Sequence, residues 1–300
     1  MDNHSTYRKT SEIVRRYGFT FRKRFGQNFL TDDGVLEKIV EASDITKEDL
    51  VIEIGPGIGT LTRYLAEAAG QVVSIEIDRD LVKILVKILG ETLSDCGNVR
   101  IIEGDVLKTD LNALAAEYGI GSGQGAGLLR IVANLPYYIT TPILMGLFEK
   151  HVPADKITVM VQKEVAERMT ARCGSKDYGS LSLAVQYYSK PKIETIVPAS
   201  SFMPAPKVDS AVVSMDVYRE KPVRAHDEQL LKAIVRAAFG QRRKTLANSL
   251  GNAPNVPAGR EMVAEALEKM GLDAAVRGEK LTLDQFVRLA DLLEQGGAAG

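Results

Sequence analysis

Short apolar runs at 50–54, 72–77, 99–102, 129–132 and 157–161 take turns with segments of helical periodicity that begin near Ile58, Arg79, Leu111, Thr141 and Lys163. Each run is too short for a helix and nearly unbroken by polar residues, as strands are when a sheet is covered on both faces. Strand and helix in repeated alternation predict a parallel α/β sheet, because parallel neighbours need a crossover connection. Ahead of this pattern, Thr31, Asp32 and Asp33 form a capping cluster before Val35, Leu36, Ile39 and Val40, which recur at helical spacing. Behind it, a short helix is expected around 181–188. Strands are expected at 193–197 and 211–217, joined by the proline-rich 200–207 and completing the sheet's edge as a hairpin. Beyond Tyr218 the texture is helical throughout, at 229–239, 242–250, 260–270 and 282–293, which places a domain boundary near residue 218.

With 300 residues, 45% of them hydrophobic and 26% charged, the chain has an ordinary globular composition and length enough for two domains. Its 38 basic and 39 acidic residues leave a net charge of −1, so no overall field favours nucleic acid or membrane. The charge is concentrated locally instead. Residues 1–30 carry Arg8, Lys9, Arg15, Arg16, Arg22, Lys23 and Arg24 against Asp2 and Glu12, and a second basic stretch runs through 219–250. Two such patches could bracket one polyanion, whereas either alone also reads as a solvated face. Cys96 and Cys173, with His4, His151 and His226, offer neither a disulfide framework nor metal-ligand spacing, so no metal is expected and a reducing, cytoplasmic setting fits. The N-terminus lacks the apolar run of a secretory signal. The stretch 81–89 is interrupted by Lys83 and Lys87 and falls far short of the ~20 residues that span a bilayer. No Gly-Lys-Ser/Thr follows the glycine-rich 119–127, so a phosphate-cradling loop is not indicated there.

The chemistry is concentrated at the strand ends. The first strand runs through Glu53 and Ile54 into Gly55-Pro56-Gly57-Ile58-Gly59, a turn that lets backbone approach a ligand closely, though such a glycine pattern is also a common tight turn. About 20 residues after Gly55 the next strand ends in Glu76, where a nucleotide-binding sheet holds ribose hydroxyls. The third ends at Gly104-Asp105, and Asp105 can accept a hydrogen bond from an adenine amino group. A nicotinamide dehydrogenase shares the glycines and the acid but has no special need of Asp105. The fourth strand ends in Asn134-Leu135-Pro136-Tyr137, and ligands of open α/β sheets sit beyond the strands' carboxyl ends, so the tetrad is expected to face the same crevice.

With these residues in place the chain resembles the S-adenosylmethionine-dependent rRNA adenine N6-dimethyltransferases. The likeness spans nearly the whole chain. It includes Arg22-Lys23-Arg24-Phe25-Gly26-Gln27-Asn28-Phe29-Leu30, Phe202-Met203-Pro204-Ala205-Pro206-Lys207-Val208-Asp209-Ser210 and the run from Gln241-Arg242-Arg243-Lys244-Thr245 to Leu250. The resemblance implies a class I (Rossmann-like) α/β methyltransferase domain over 1–218 and a smaller all-helical, RNA-binding domain over 219–300. It implies S-adenosylmethionine contacts at Asn28, Leu30, Gly55, Gly57, Glu76, Asp105 and Asn134. Adenine N6 is a poor nucleophile because its lone pair is delocalised into the ring. Asn134 Oδ1 and the carbonyl of Pro136, or that of Leu135, can accept the N6 protons and aim the lone pair at the methyl group. Tyr137 would stack on the base, and Phe202 would clamp its other face or pack the hairpin. Arg22, Lys23 and Arg24, with Arg242, Arg243 and Lys244, could grip phosphates, although Arg243 and Lys244 could instead pair with the helical domain's own acids.

The substrate implied is 16S rRNA in an immature 30S particle, dimethylated on two adjacent adenosines of its 3′-terminal hairpin by a monomeric enzyme. Two other readings stand beside it: a macrolide-resistance enzyme acting on 23S rRNA, whose tetrad would typically read Asn-Ile-Pro-Tyr, and an assembly factor whose catalysis is secondary. Residues 1–17 lie outside the shared motifs and receive no role; a helical arm and a disordered segment are both open there.

Overall fold

The computed structural model describes residues 5–18, 27–92, 97–120 and 127–297; Arg22, Lys23, Arg24, His4, Cys96 and the middle of the glycine-rich loop lie outside the described residues. In chain order the elements are α1 (Ser5–Arg16), β1 (Phe29–Leu30), α2 (Asp33–Ala42), β2 (Leu50–Ile54), α3 (Thr60–Ala68), β3 (Gln71–Glu76), α4 (Arg79–Thr92), β4 (Val99–Glu103), α5 (Leu111–Glu117), β5 (Leu129–Asn134), α6 (Thr140–Glu149), β6 (Lys156–Gln162), α7 (Lys163–Met169), α8 (Ser180–Tyr188), β7 (Ser189–Val197), β8 (Phe202–Met203), β9 (Ser210–Val217), α9 (Glu228–Gly240), α10 (Leu246–Leu250), α11 (Arg260–Lys269) and α12 (Leu283–Gly297). They divide into two compact units, Met1–Ala166 with Pro191–Val217, and Glu167–Lys190 with Tyr218–Gly300.

The first unit is a Rossmann-like α/β fold. Its sheet has the order β4-β3-β2-β5-β6-β9-β7. The first five strands are parallel, β9 runs antiparallel to β6, and β7, the other strand of the expected edge hairpin, lies beside β9. All five residues of β2 are buried, which accounts for their unbroken apolarity apart from Glu53. Leu36 and Ile39 of α2 and Leu61 and Leu65 of α3 cover one face against Val51, Val72 and Val132. Successive strands β2, β3 and β4 step to one side, and the chain returns to place β5 and β6 on the other. That reversal opens a crevice outside the carboxyl ends of β2 and β5. The capping cluster behaves as its residues predict, with Asp32 Oδ1 accepting the Gly34 and Val35 N–H groups.

Two features were not legible in the periodicity. The proline-rich connection carries β8, which pairs antiparallel with β1 in a separate two-stranded sheet, Phe29 opposite Met203 and Leu30 opposite Phe202. Thr31 N–H and Oγ1 both donate to the Ser201 carbonyl and extend the same join. The second feature is α1, formed by the segment left without a role. It buries Thr6 and Thr10 and packs Ile13 and Val14 against Phe29, Ile58, Leu81 and Ile88. The Thr6 and Tyr64 hydroxyls converge on Asp33 Oδ1.

The second unit packs α8 with α9 and α12, and α10 with α9 and α11, around Ile234, Phe286 and Leu293. The segment Glu167–Lys190, read from sequence as part of the sheet domain, is in this unit. Its Tyr178 ring meets Phe239 edge-on at 5.9 Å, and the Tyr178 hydroxyl donates to the Leu281 carbonyl at 2.9 Å. A large aromatic with one polar atom is held where both needs are met, and here both partners belong to the second unit. The helix expected from residue 242 begins instead at Leu246, because the Thr245 hydroxyl accepts the Asn248 N–H and caps it there.

Candidate active site

All the crevice residues belong to the first unit. Gly55, Gly57 and Gly59 take φ of 73°, 61° and 82°, a backbone region that residues with side chains rarely adopt. A Cβ on Gly57 would lie 3.0 Å from the Phe29 ring, so the turn can approach β1 because that position has no side chain. Glu76, 5% exposed at the end of β3, accepts the Gly57 N–H at Oε2 (3.2 Å) and the Asp78 N–H at Oε1 (2.8 Å). Burial pushes its carboxyl above the usual range, against the pull of those two donors. Asp105, just beyond β4, accepts the Leu107 N–H at 3.0 Å.

Asn134 closes β5, and its Nδ2 donates to the Asn28 carbonyl at 3.2 Å. That bond turns the amide nitrogen toward Asn28 and leaves Oδ1 as the acceptor for a ligand. The Pro136 carbonyl is engaged, accepting the Ile139 N–H at 3.1 Å and the Thr140 hydroxyl at 3.4 Å as α6 begins. Among the described residues no N–H or O–H donates to the Leu135 carbonyl. Of the two carbonyls left open by the sequence, that of Pro136 already accepts two donors, so that of Leu135 has the greater accepting capacity. The Tyr137 hydroxyl lies 2.8 Å from Ser210 Oγ. Phe202 is 4% exposed in β8, packs beside Leu30 and Leu36, and still contributes to the crevice wall.

Asn28, Leu30, Gly55, Gly57, Glu76, Asp105, Asn134, Leu135, Pro136, Tyr137 and Phe202 all line one cleft that opens to solvent. Two participants were missed. Glu53 lies on the cleft's inner wall, where its Oε2 accepts from Thr62 Oγ1 (2.6 Å) and Ser74 Oγ (2.7 Å), and burial pushes its carboxyl up to about 7. A lone acid inside an apolar strand just ahead of Gly55 was the available signal. For Ser210 the available signal was its place at the end of the Phe202–Ser210 run, although nothing local ties it to Tyr137.

The basic residues divide by environment. Arg242 Nη2 donates to the Lys176 and Tyr178 carbonyls (2.9 and 3.2 Å) and stands 3.8 Å from Glu279, a structural engagement that the phosphate reading did not foresee. Arg243 and Lys244 are exposed, and among the described residues no carboxylate pairs with either. In the second unit His226, Asp291 and Glu294 bring ligand atoms within 4.8 Å of one another, a grouping that chain spacing conceals; Asp291 is already engaged in accepting the His226 N–H. No helix of the described residues is long and apolar enough to cross a membrane.

A family model described as Ribosomal RNA adenine dimethylase matches residues 18–295. A Ribosomal RNA small subunit methyltransferase A from Lachnoclostridium phytofermentans is 54% identical over 96% of this chain and 97% of its own length, and one from Alkaliphilus metalliredigens is 48% identical over 96% and 97%. Among solved structures, a dimethyladenosine transferase from Plasmodium falciparum superposes with a TM-score of 0.71 at 27% identity, covering 87% of this chain and 95% of that one. The 23S rRNA methyltransferase ErmE superposes with a TM-score of 0.65 at 27% identity, covering 89% and 100%. The strand-end residues, the cleft they share and the matches along nearly the full length lead to one conclusion: this chain belongs to the ribosomal RNA adenine dimethylase family.

Proposed function

We propose that this chain dimethylates N6 of two adjacent adenosines in the 3′-terminal hairpin of 16S rRNA, acting as a monomer in the cytoplasm on a small-subunit particle still being assembled. The observation that carries the reading is the Asn134 amide, held by the Asn28 carbonyl so that Oδ1 remains available in the cleft it shares with Glu76 and Asp105. The small-subunit assignment rests on relatives of that name at 44–54% identity over nearly the whole chain, against 27% for the 23S enzyme, so the resistance-type alternative is not favoured.

The cleft fits S-adenosylmethionine on its own chemistry. A glycine turn without side chains offers close backbone approach, Glu76 suits ribose hydroxyls, and Asp105 suits an exocyclic amine. When bound, the cofactor supplies a methyl group on a sulfonium centre that departs as a neutral thioether. Asn134 Oδ1 and the Leu135 carbonyl accept the two N6 protons and direct the nitrogen lone pair out of the ring plane. Both are neutral acceptors, so the proton released as the N–C bond forms passes to water, and positioning rather than strong-base chemistry supplies the rate. Tyr137 provides a stacking face, and base–aromatic stacking of about 1–3 kcal/mol offsets extrusion of the adenosine from its helix. Arg243 and Lys244 serve phosphate contacts.

Labelled methyl transfer to unmodified small and large ribosomal subunits, followed by mapping of the modified nucleotides, tests the reading. Two adjacent dimethyladenosines near the small-subunit 3′ end are expected. Label confined to the large subunit would replace the proposal with the resistance-type activity, and tight particle binding without label would replace it with an assembly role.

A further inference from the structure

Of the two adjacent tyrosines after Pro136, Tyr138 is 61% exposed, whereas Tyr137 is half-buried and its hydroxyl is held by Ser210 at 2.8 Å. The anchor is rigid. Ser210 is fully buried, it opens β9, and it faces Gln162 across the β6–β9 ladder. Its neighbour Asp209 is tied at two points, the carbonyl accepting the Lys163 N–H at 3.0 Å and Oδ1 accepting the Ala199 N–H at 3.0 Å. The strand inserted antiparallel between β6 and the edge therefore reaches the tetrad through one buried hydroxyl, which is bonded to the tetrad's aromatic residue.

An aromatic side chain turns freely about two torsions until packing or a polar contact at its far end stops it. The ring of Tyr137 has its polar end pinned to the sheet, which fixes where the ring stands, and the preference of a phenol O–H for the ring plane favours the ring orientation that keeps Ser210 Oγ in that plane. A dimethylating site must present the same nitrogen twice, the second time carrying a methyl group that competes for the space and removes one of the two protons available to Asn134 and Leu135. With one acceptor contact fewer, the stacking plane carries a larger share of the alignment in the second transfer than in the first.

We infer that Ser210 is a positioning residue for Tyr137, and that it matters most for the second methyl transfer. The inference rests on the methyltransferase reading above. In each transfer N6 gains a carbon, the carbon–sulfur bond breaks with its electron pair kept by sulfur, and one N6 proton leaves to solvent; Ser210 changes none of this chemistry, only the angle at which the base stands.

The test is the ratio of monomethyl to dimethyl adenosine made on unmodified small subunits by the wild type, Ser210→Ala, Tyr137→Phe and the double variant, with S-adenosylmethionine affinity and melting temperature measured alongside. Loss of one hydrogen bond predicts a second transfer slowed by about three- to tenfold, with monomethyladenosine accumulating. Cofactor affinity and melting should be little changed, and the double variant should be no worse than either single one, because both remove the same bond. Should Ser210→Ala fail to fold, Tyr137→Phe alone must still show the accumulation. A wild-type product ratio in the variants overturns the inference, as does an equal slowing of both transfers accompanied by a lowered melting temperature. Absence of dimethyladenosine from the wild type would instead remove the methyltransferase reading itself.

Discussion

Asn134 and Glu53 stand near the ends of neighbouring strands, the first partly exposed at the cleft and the second fully buried. Asn134 is oriented by one hydrogen bond to backbone, so its value lies in where Oδ1 points. Replacing it by Ala should lower turnover by about 100-fold or more, the scale of losing a positioned electrostatic donor or acceptor, while the melting temperature stays close to wild type. Turnover near normal would exclude the positioning mechanism. Glu53 has no solvent to stabilise its charge. Its folded pKa of about 7 lies above the ordinary 4.5, so the protonated form favours the fold. The stabilisation is complete below the unfolded pKa and is lost as pH rises through 7. A shift of this size corresponds to about 3 kcal/mol. Melting followed from pH 5 to pH 8 should therefore fall in the wild type and fall less in Glu53→Gln. Glu76, also raised by burial, adds a contribution of the same sign that remains in the variant. Equal slopes in the two proteins would assign the dependence elsewhere.

At the scale of elements, charge is sorted by helix face and by turn. On α1 the residues Arg8, Lys9, Glu12, Arg15 and Arg16 recur at helical spacing opposite Thr6, Thr10, Ile13 and Val14, which face the protein. The segment that sequence motifs left unassigned is thus an amphipathic helix with a basic outer side. In the second unit the capping hydroxyl of Thr245 stops α10 short of the basic triplet, so Arg242, Arg243 and Lys244 occupy a turn and diverge in role. Arg242 satisfies two carbonyls; the other two face solvent. Neutralising Arg243 and Lys244 to Gln should reduce the slope of log affinity for rRNA against log salt by about 1–2, a little under one per phosphate contact. Arg242→Ala should mainly lower the melting temperature. A slope unchanged in the double variant would remove those two residues from the RNA surface.

For the molecule as a whole, the division between what was legible in the sequence and what was not follows chain distance. The parallel sheet could be read because burial on both faces leaves its mark within five or six residues, and a glycine turn or strand-terminal acid announces itself within its own turn. The cleft could be read for the same reason: the carboxyl ends of the five parallel strands lie on one side of the sheet, so local motifs there assemble without further information. The pairing of β1 with β8 left no trace, since two-residue strands have no period and their partners are separated by most of the chain. The bond that orients Asn134 crosses 106 positions and the one that pins Tyr137 crosses 73. Which arginine is already engaged and that Glu167–Lys190 packs among helices were likewise settled by long-range partners, whereas the Pro136 carbonyl is taken up within its own turn by Ile139 and Thr140. Residue identity and spacing specify the fold class, the family motifs and the chemistry available at each strand end, because these depend on burial and turn geometry along the chain. Orientation of those groups, and the supports that hold them, depend on donors and acceptors brought together from distant segments, and so exist only once the chain has folded.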